Sequence, residues 1–400
     1  MADQEREQLF ARMASTRINR RSFLAASGLL GLGAAAAACS PGSSTGSPAP
    51  SSAGSTPSAA ASGAAPSAAA VEDELWMLNW TNYVAPENME AFQAEFGVKK
   101  FQYDIFASDD ELQAKLAAGA TGYDITAPTA LFLPQMIEQG YIQKLDFARI
   151  PNFKYIDPAL LSQTWDPNNE YHIPKDFGTT GILYRSKIVT EPLTSWREFY
   201  DLAKGKYSGR VVLVDSVLDV MPMPLKMLGY SLNSVDPKEL AEARALLMDL
   251  APHILAIDSD TYQDKLASEE AVMALGWTGP LAALRAEPST ADIRYVLPSE
   301  GTLFWADAWV LMADAPHPNA AYAWFDFIER PDNQAAESVY TGYGTPNLEA
   351  KKLLPPEMLN DPAIFPPADV MAKLEGADSA TANHEERVAI WSDFKASLGG

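Results

Sequence analysis

Cysteine is all but missing. Cys39 stands alone in 400 residues, so the chain can close no internal disulfide and build no thiolate metal site. Histidine is scarce too: His172, His253, His317 and His384 lie far apart, with no HExxH and no paired spacing, so the sequence offers no zinc motif. There is no G-x-S-x-G elbow and no phosphate loop ending in G-K-[ST]. Acids are plentiful, yet none sits in a motif that specifies a catalytic pair. The sequence therefore argues against an enzyme and implies no cofactor and no metal. Positive charge is short: 30 Lys and Arg face 52 Asp and Glu, a net charge of −22 at pH 7. That balance disfavours nucleic acid and anionic lipid as partners and favours cations, although solubility alone also accounts for an acidic surface.

Long apolar runs are missing as well. The uncharged stretch from Phe23 to Ala38 is shorter than the roughly 20 apolar residues that span a bilayer. It follows Asn19-Arg20-Arg21-Ser22 and runs into Ala36-Ala37-Ala38-Cys39, the order of a twin-arginine export signal ending at a lipid-accepting cysteine. Ala36 stands where such a signal usually has Leu. Gly28, Gly31 and Gly33 follow no strand, which excludes a dinucleotide fingerprint. The expectation is a signal over residues 1–38, and over 39–70 a lipidated Cys39 followed by a tether. Ser40 to Ala70 contains only Ala, Ser, Gly, Pro and Thr; such a segment builds no core and reaches roughly 30 Å as a coil. Removing residues 1–38 leaves 25 basic and 49 acidic residues, a net charge of −24.

From Val71 onward, strand and helix signals alternate, as in a mainly parallel α/β protein. Strands are expected over 75–78, 100–105, 123–127 and 210–215. Helices are expected over 86–95 and 109–118, from a capping box at Ser195 and Glu198, from Asp236-Pro237 to about Leu250, and over 319–329 with Pro331 as the stop. Open α/β sheets gather ligand-binding loops at the carboxyl ends of their strands. Trp80 to Tyr83, Pro128-Thr129 and Ser216 to Asp219 occupy such positions, which points to a cleft. In "FWADAW", Trp305 and Asp307 are two residues apart, so a strand turns both to one side. A π face beside a carboxylate suits a ligand with an ammonium group and an apolar body; Trp309, deeper in the following apolar run, reads as core.

Eight stretches in order, "NWTNYV", "AAGATGYDITAPT", "GYIQKLD", "DPNNEYHIPKDFGTTGILY", "LTSWREFYD", "MLGYSLNSVDPKEL", "GTLFWADAW" and "YTGYGTPNLEAKKLL", resemble the spermidine/putrescine-binding proteins of bacterial ABC importers. The resemblance implies an α/β, type II periplasmic-binding-protein fold: two α/β domains joined by a hinge and closing over a polyamine. The domains would be 71–180 plus about 308–345, and 181–307 plus about 346–400. It implies that Trp80 and Trp305 wall the methylene chain, with Trp277 and Tyr343 completing the box. Asp307 would hold an amine, Thr81, Tyr83 and Thr129 would contact the ligand's ends, and Asp219 would reach in from the other domain. Four positions depart from the family: Asn82 and Ser216 replace usual acids, Pro280 stands where some members place an acid, and Leu131 replaces a Tyr or polar residue. The fewer acids lead us to expect a diamine in preference to a triamine.

The resulting expectation is a monomeric, exported solute-binding protein, periplasmic or at the cell surface. It would be held to the membrane through Cys39 and would deliver a polyamine to a permease. A binder of another cationic amine, such as an opine or amino-acid derivative, is the neighbouring alternative, and a secreted α/β hydrolase the remoter one.

Overall fold

The computed structural model describes residues 70–382 and 384–398; the expected export signal, Cys39 and residues 40–69 of the expected tether lie outside them. Ten strands form one mixed sheet: β1 Glu74–Trp80, β2 Lys100–Phe106, β3 Ile125–Thr126, β4 His172–Arg185, β5 Val211–Leu213, β6 Ala256–Ile257, β7 Met273–Trp277, β8 Ile293–Val296, β9 Leu303–Leu311 and β10 Glu375–Gly376. Their order is β2-β1-β3-β9-β4-β7-β5-β6, with β8 beside β4 and β10 beside β9. The two flanks are parallel, as the alternating pattern predicts. The centre is antiparallel, because β9 runs back between β3 and β4, and β4 lies antiparallel to β7.

The apolar residues sort into separate cores. Leu75, Met77, Phe92, Ile125, Trp309, Trp324 and Phe325 pack on one face of the β1–β3 flank, and Leu78, Phe106, Leu112, Leu133 and Val310 on the other. Trp196, Val212, Leu213, Leu240, Leu247, Leu275 and Phe394 fill the β5–β7 flank. β4 belongs to both flanks: His172 to Thr179 pair with β9, and Thr180 to Tyr184 pair with β7. Gly344 bridges Phe177 nearby. The described residues thus form two lobes on a shared central ribbon.

Local signals explain the element ends. Ser195 accepts the Glu198 N–H at 3.1 Å and starts Trp196–Lys204. The Glu198 carboxylate reaches the Thr194 N–H at 2.6 Å instead of the Ser195 N–H expected of a capping box. Asp236 caps Pro237–Leu250, whose Leu240, Leu247 and Leu250 are buried. The strand expected over 123–127 shrinks to Ile125–Thr126, and Pro128, which can donate no ladder bond, limits it at the carboxyl end. Pro331 follows a helix that ends at Ile328, and it also opens the next, Pro331–Thr341, in the first-turn position where its missing N–H costs nothing.

Candidate functional site

The site lies between the lobes, where the parallel strands end. Trp80 closes β1, Thr129 follows β3, Asp219 follows β5 and Trp277 closes β7; Trp305 and Asp307 come from β9. Tyr83, Trp305 and Tyr343 share one apolar cluster with Leu131, Phe132, Leu218 and Leu303, and Trp80 and Trp277 pack against it. The Trp80 and Trp277 ring centroids are 6.0 Å apart at 72°, those of Trp305 and Tyr343 4.9 Å at 81°, and those of Tyr83 and Tyr343 5.8 Å at 78°. The five aromatics singled out in the sequence therefore meet, and both lobes contribute. Trp309 packs in the core against Trp324, as expected.

Backbone shape makes room for the rings. A Cβ at Gly178 would fall 2.5 Å from Trp305 Cζ2, and one at Gly279 would fall 2.4 Å from Tyr343 Cζ. Asn82 has φ 56°, a left-handed conformation that Asn adopts more readily than most residues. It is exposed, so it serves the turn that separates Thr81 from Tyr83. Ser216 caps the Val217–Val220 turn by accepting the Asp219 N–H at 3.3 Å, Pro280 sits in the first turn of Gly279–Ala286, and Leu131 joins the aromatic cluster.

The acids are arranged in sequence across the cleft. Asp176 stands directly opposite Asp307 in the β4/β9 ladder, and Thr129 bridges Asp307 from the other side. Tyr83 Oη lies 2.6 Å from Asp176 Oδ1 and 2.5 Å from Asp307 Oδ2. One phenol proton can serve only one of these contacts, so the pair needs a carboxyl proton for the other. Asp307 is the group to hold it: burial first, then the charges of Asp176 and Asp109, push its carboxyl well above the usual range. Asp307 Oδ1 is buried without a hydrogen-bond partner, as is Trp305 Nε1. Asp109 accepts the Thr129 N–H at 3.0 Å, and burial raises its carboxyl to about 7. From the loop after β5, Asp219 accepts from Trp277 Nε1 at 3.0 Å and from the Thr180 hydroxyl; burial raises it too, against the opposing effect of those partners. Thr81 donates to Asp260 Oδ1 at 3.0 Å, linking the two lobes at the rim.

All nine candidate residues thus lie in or beside one cluster, but sequence reasoning missed Asp109, Asp176 and Asp260. Asp109 reads as a helix start, which it also is. Asp260 lies 179 residues from its partner. Asp176 sits inside a stretch that resembles the family, but nothing local reveals that it faces Asp307. Three of the four histidines pair within the fold: His172 Nδ1 lies 2.8 Å from Asp166, His317 Nδ1 3.0 Å from Asp124, and His253 Nδ1 2.8 Å from Ser208. Among the described residues no group of acids, His or Cys is placed to hold a metal ion. The chemistry on offer is the holding of a cation between rings and carboxyls.

The profile of the family described as bacterial extracellular solute-binding protein matches residues 87–366. The chain is 36% identical to the spermidine/putrescine-binding periplasmic protein of Salmonella typhimurium, over 78% of this chain and 90% of that one. It is 33% identical to the putrescine/agmatine-binding protein of Pseudomonas aeruginosa, over 82% and 93%. Among solved structures, the spermidine/putrescine ABC transporter substrate-binding protein PotD of Streptococcus pneumoniae is similar at 32% identity and a TM-score of 0.67, covering 81% of this chain and 99% of that one.

Proposed function

Because the chain belongs to the bacterial extracellular solute-binding proteins, we propose that it captures a polyamine outside the cytoplasm and delivers it to the permease of an ABC importer. It performs no chemical conversion; its relatives are binding proteins. The observation that carries the ligand class is Asp307 Oδ1, buried and unpartnered beside the aromatic cluster of Trp80, Tyr83, Trp277, Trp305 and Tyr343. An ammonium satisfies that oxygen, and rings on both sides take up the methylene chain. Burying four methylenes contributes on the order of 3 kcal/mol, and each ammonium–carboxylate hydrogen bond roughly 1.5–3 kcal/mol more.

In this reading Thr81, Tyr83, Thr129 and Asp219 contact the ligand's ends, and each lobe supplies one wall. The lobes are the domains, 71–180 plus about 308–345 and 181–307 plus about 346–400, and the ligand favours the closed arrangement because only there does it touch both. Cys39 carries the lipid that keeps the protein at the membrane after export through the twin-arginine signal, and residues 39–70 are the tether.

A thermal-shift and calorimetric screen of the purified protein tests the ligand. Putrescine, spermidine and agmatine are set against opines, neutral amino acids and sugars. At 100 times its dissociation constant the true ligand stabilises by about 2.7 kcal/mol. Saturable binding of at least one polyamine is expected. Binding confined to sugars or neutral amino acids would overturn the assignment.

A further inference from the structure

One ammonium group already lies beside the ring and carboxylates that would receive the ligand, and it belongs to the chain. Lys175 is 2% exposed. Its Nζ donates to Asp176 Oδ2 at 2.7 Å and stands 3.3 Å from the centroid of the Tyr83 ring and 5.1 Å from that of Trp309. A carboxylate and an aromatic face together are what the cleft offers a ligand nitrogen. The backbone is shaped for this placement. β4 pairs with β9 through Pro174↔Ala308 and then Asp176↔Asp307, so the register shifts at Lys175. Consecutive strand residues normally face opposite ways. The bulge suspends that alternation, and Lys175 and Asp176 are both buried and bonded to each other.

A buried Lys needs a partner, and a cross-strand pair of acids needs a cation. Lys175 meets both needs at Asp176, leaving Asp307 to an incoming amine. We propose that Lys175 is a tethered ammonium that holds Asp176 and thereby limits how many amine nitrogens a ligand can bring to the Tyr83–Asp307 end of the cleft. This rests on the polyamine reading and makes Lys175 a specificity-determining residue that need not touch the ligand. Without its charge, the Asp176 carboxylate would lose its cation while standing opposite Asp307, which holds the proton of the pair. A further ligand nitrogen would then find a carboxylate where the native protein offers none.

The test is a titration of putrescine, with two nitrogens, and spermidine, with three, into the native protein, K175M and K175R at one pH and salt concentration. K175M should shift the affinity ratio toward spermidine by about tenfold or more, whereas K175R, which keeps the charge, should hold the native ratio. A purely structural lysine would lower thermal stability in K175M and leave the ratio unmoved, which overturns the inference while polyamine binding by the native protein stands. A native protein that binds neither amine overturns the functional reading and the inference with it. If K175M does not fold, D176N decides: an ammonium released from its carboxylate competes with the ligand for Asp307, and affinity for both amines should fall about tenfold. Unchanged affinity in D176N overturns the inference.

Discussion

Asp307 carries two opposing demands on one carboxyl group. Burial favours its neutral form, in which it can donate to the Tyr83 oxygen 2.5 Å away. A ligand ammonium favours the anion. Capture of a cation at this residue therefore displaces a proton, and the strength of the new pair must exceed the cost of ionising a buried acid. Asp307→Asn keeps the planar shape and removes the anion. Affinity for any polyamine should fall by roughly 2–5 kcal/mol, measured by calorimetry; a loss of less than tenfold would move the anchor to another carboxyl. The count of acids made from the sequence also changes at this scale. Asn82 serves a left-handed turn and Ser216 a helix cap, so neither position is a simple loss of charge. Asp109 and Asp176 join Asp219 and Asp307, with Lys175 offsetting one of them. The proposed preference for diamines therefore rests on Lys175 as well as on the acids missing from the sequence.

β4 and β9 are the elements on which the site is built. They run antiparallel through both lobes, and each brings residues to the cleft: Lys175, Asp176 and Thr180 from one, Trp305 and Asp307 from the other. Gly178 lies opposite Trp305 in their ladder, with the indole seated over the space a methyl group would occupy. Gly178→Ala should displace that indole. The strain, about 1–3 kcal/mol for overpacking, falls on a ring proposed to wall the ligand, so polyamine affinity should drop about tenfold or more with little change in far-ultraviolet circular dichroism. Native affinity in this variant would show that Trp305 yields without consequence. The long strand β4 could be read only in part from the sequence, as a stretch of family resemblance. Pro174 and the bulge at Lys175 break the alternation that identifies a strand, and its two halves pair with different neighbours.

At the scale of the whole molecule, the two lobes have separate cores and meet at a polar and aromatic seam, an arrangement that permits closure over a ligand without exposing either core. The seam includes Thr81 with Asp260 and the Trp80–Trp277 contact. The proposed lipid on Cys39 would keep the protein beside its permease. Twin arginines, a short apolar stretch and a single cysteine occur in that order, so protein from the membrane fraction should have lost residues 1–38 and carry lipid on Cys39. Intact-mass analysis reads both features, and an unmodified Cys39 or a retained Met1 would refute the anchor.

The sequence by itself determined the α/β class, the starts of the five helices read from it, the strand ends where the loops gather, and the aromatic residues of the cluster. Each of these depends on neighbours along the chain: caps, prolines, alternation, or a motif of a few residues. Tertiary structure alone decided that Asp176 faces Asp307, that Asp109 meets Thr129, that Thr81 reaches Asp260 and that Lys175 turns inward to hold an acid. Those relations join residues brought together by the register of β4 on β9 and by the approach of two lobes. A carboxylate looks the same in the sequence whether it ends in solvent or against another carboxylate; only the fold, by removing water around it, makes the difference chemical.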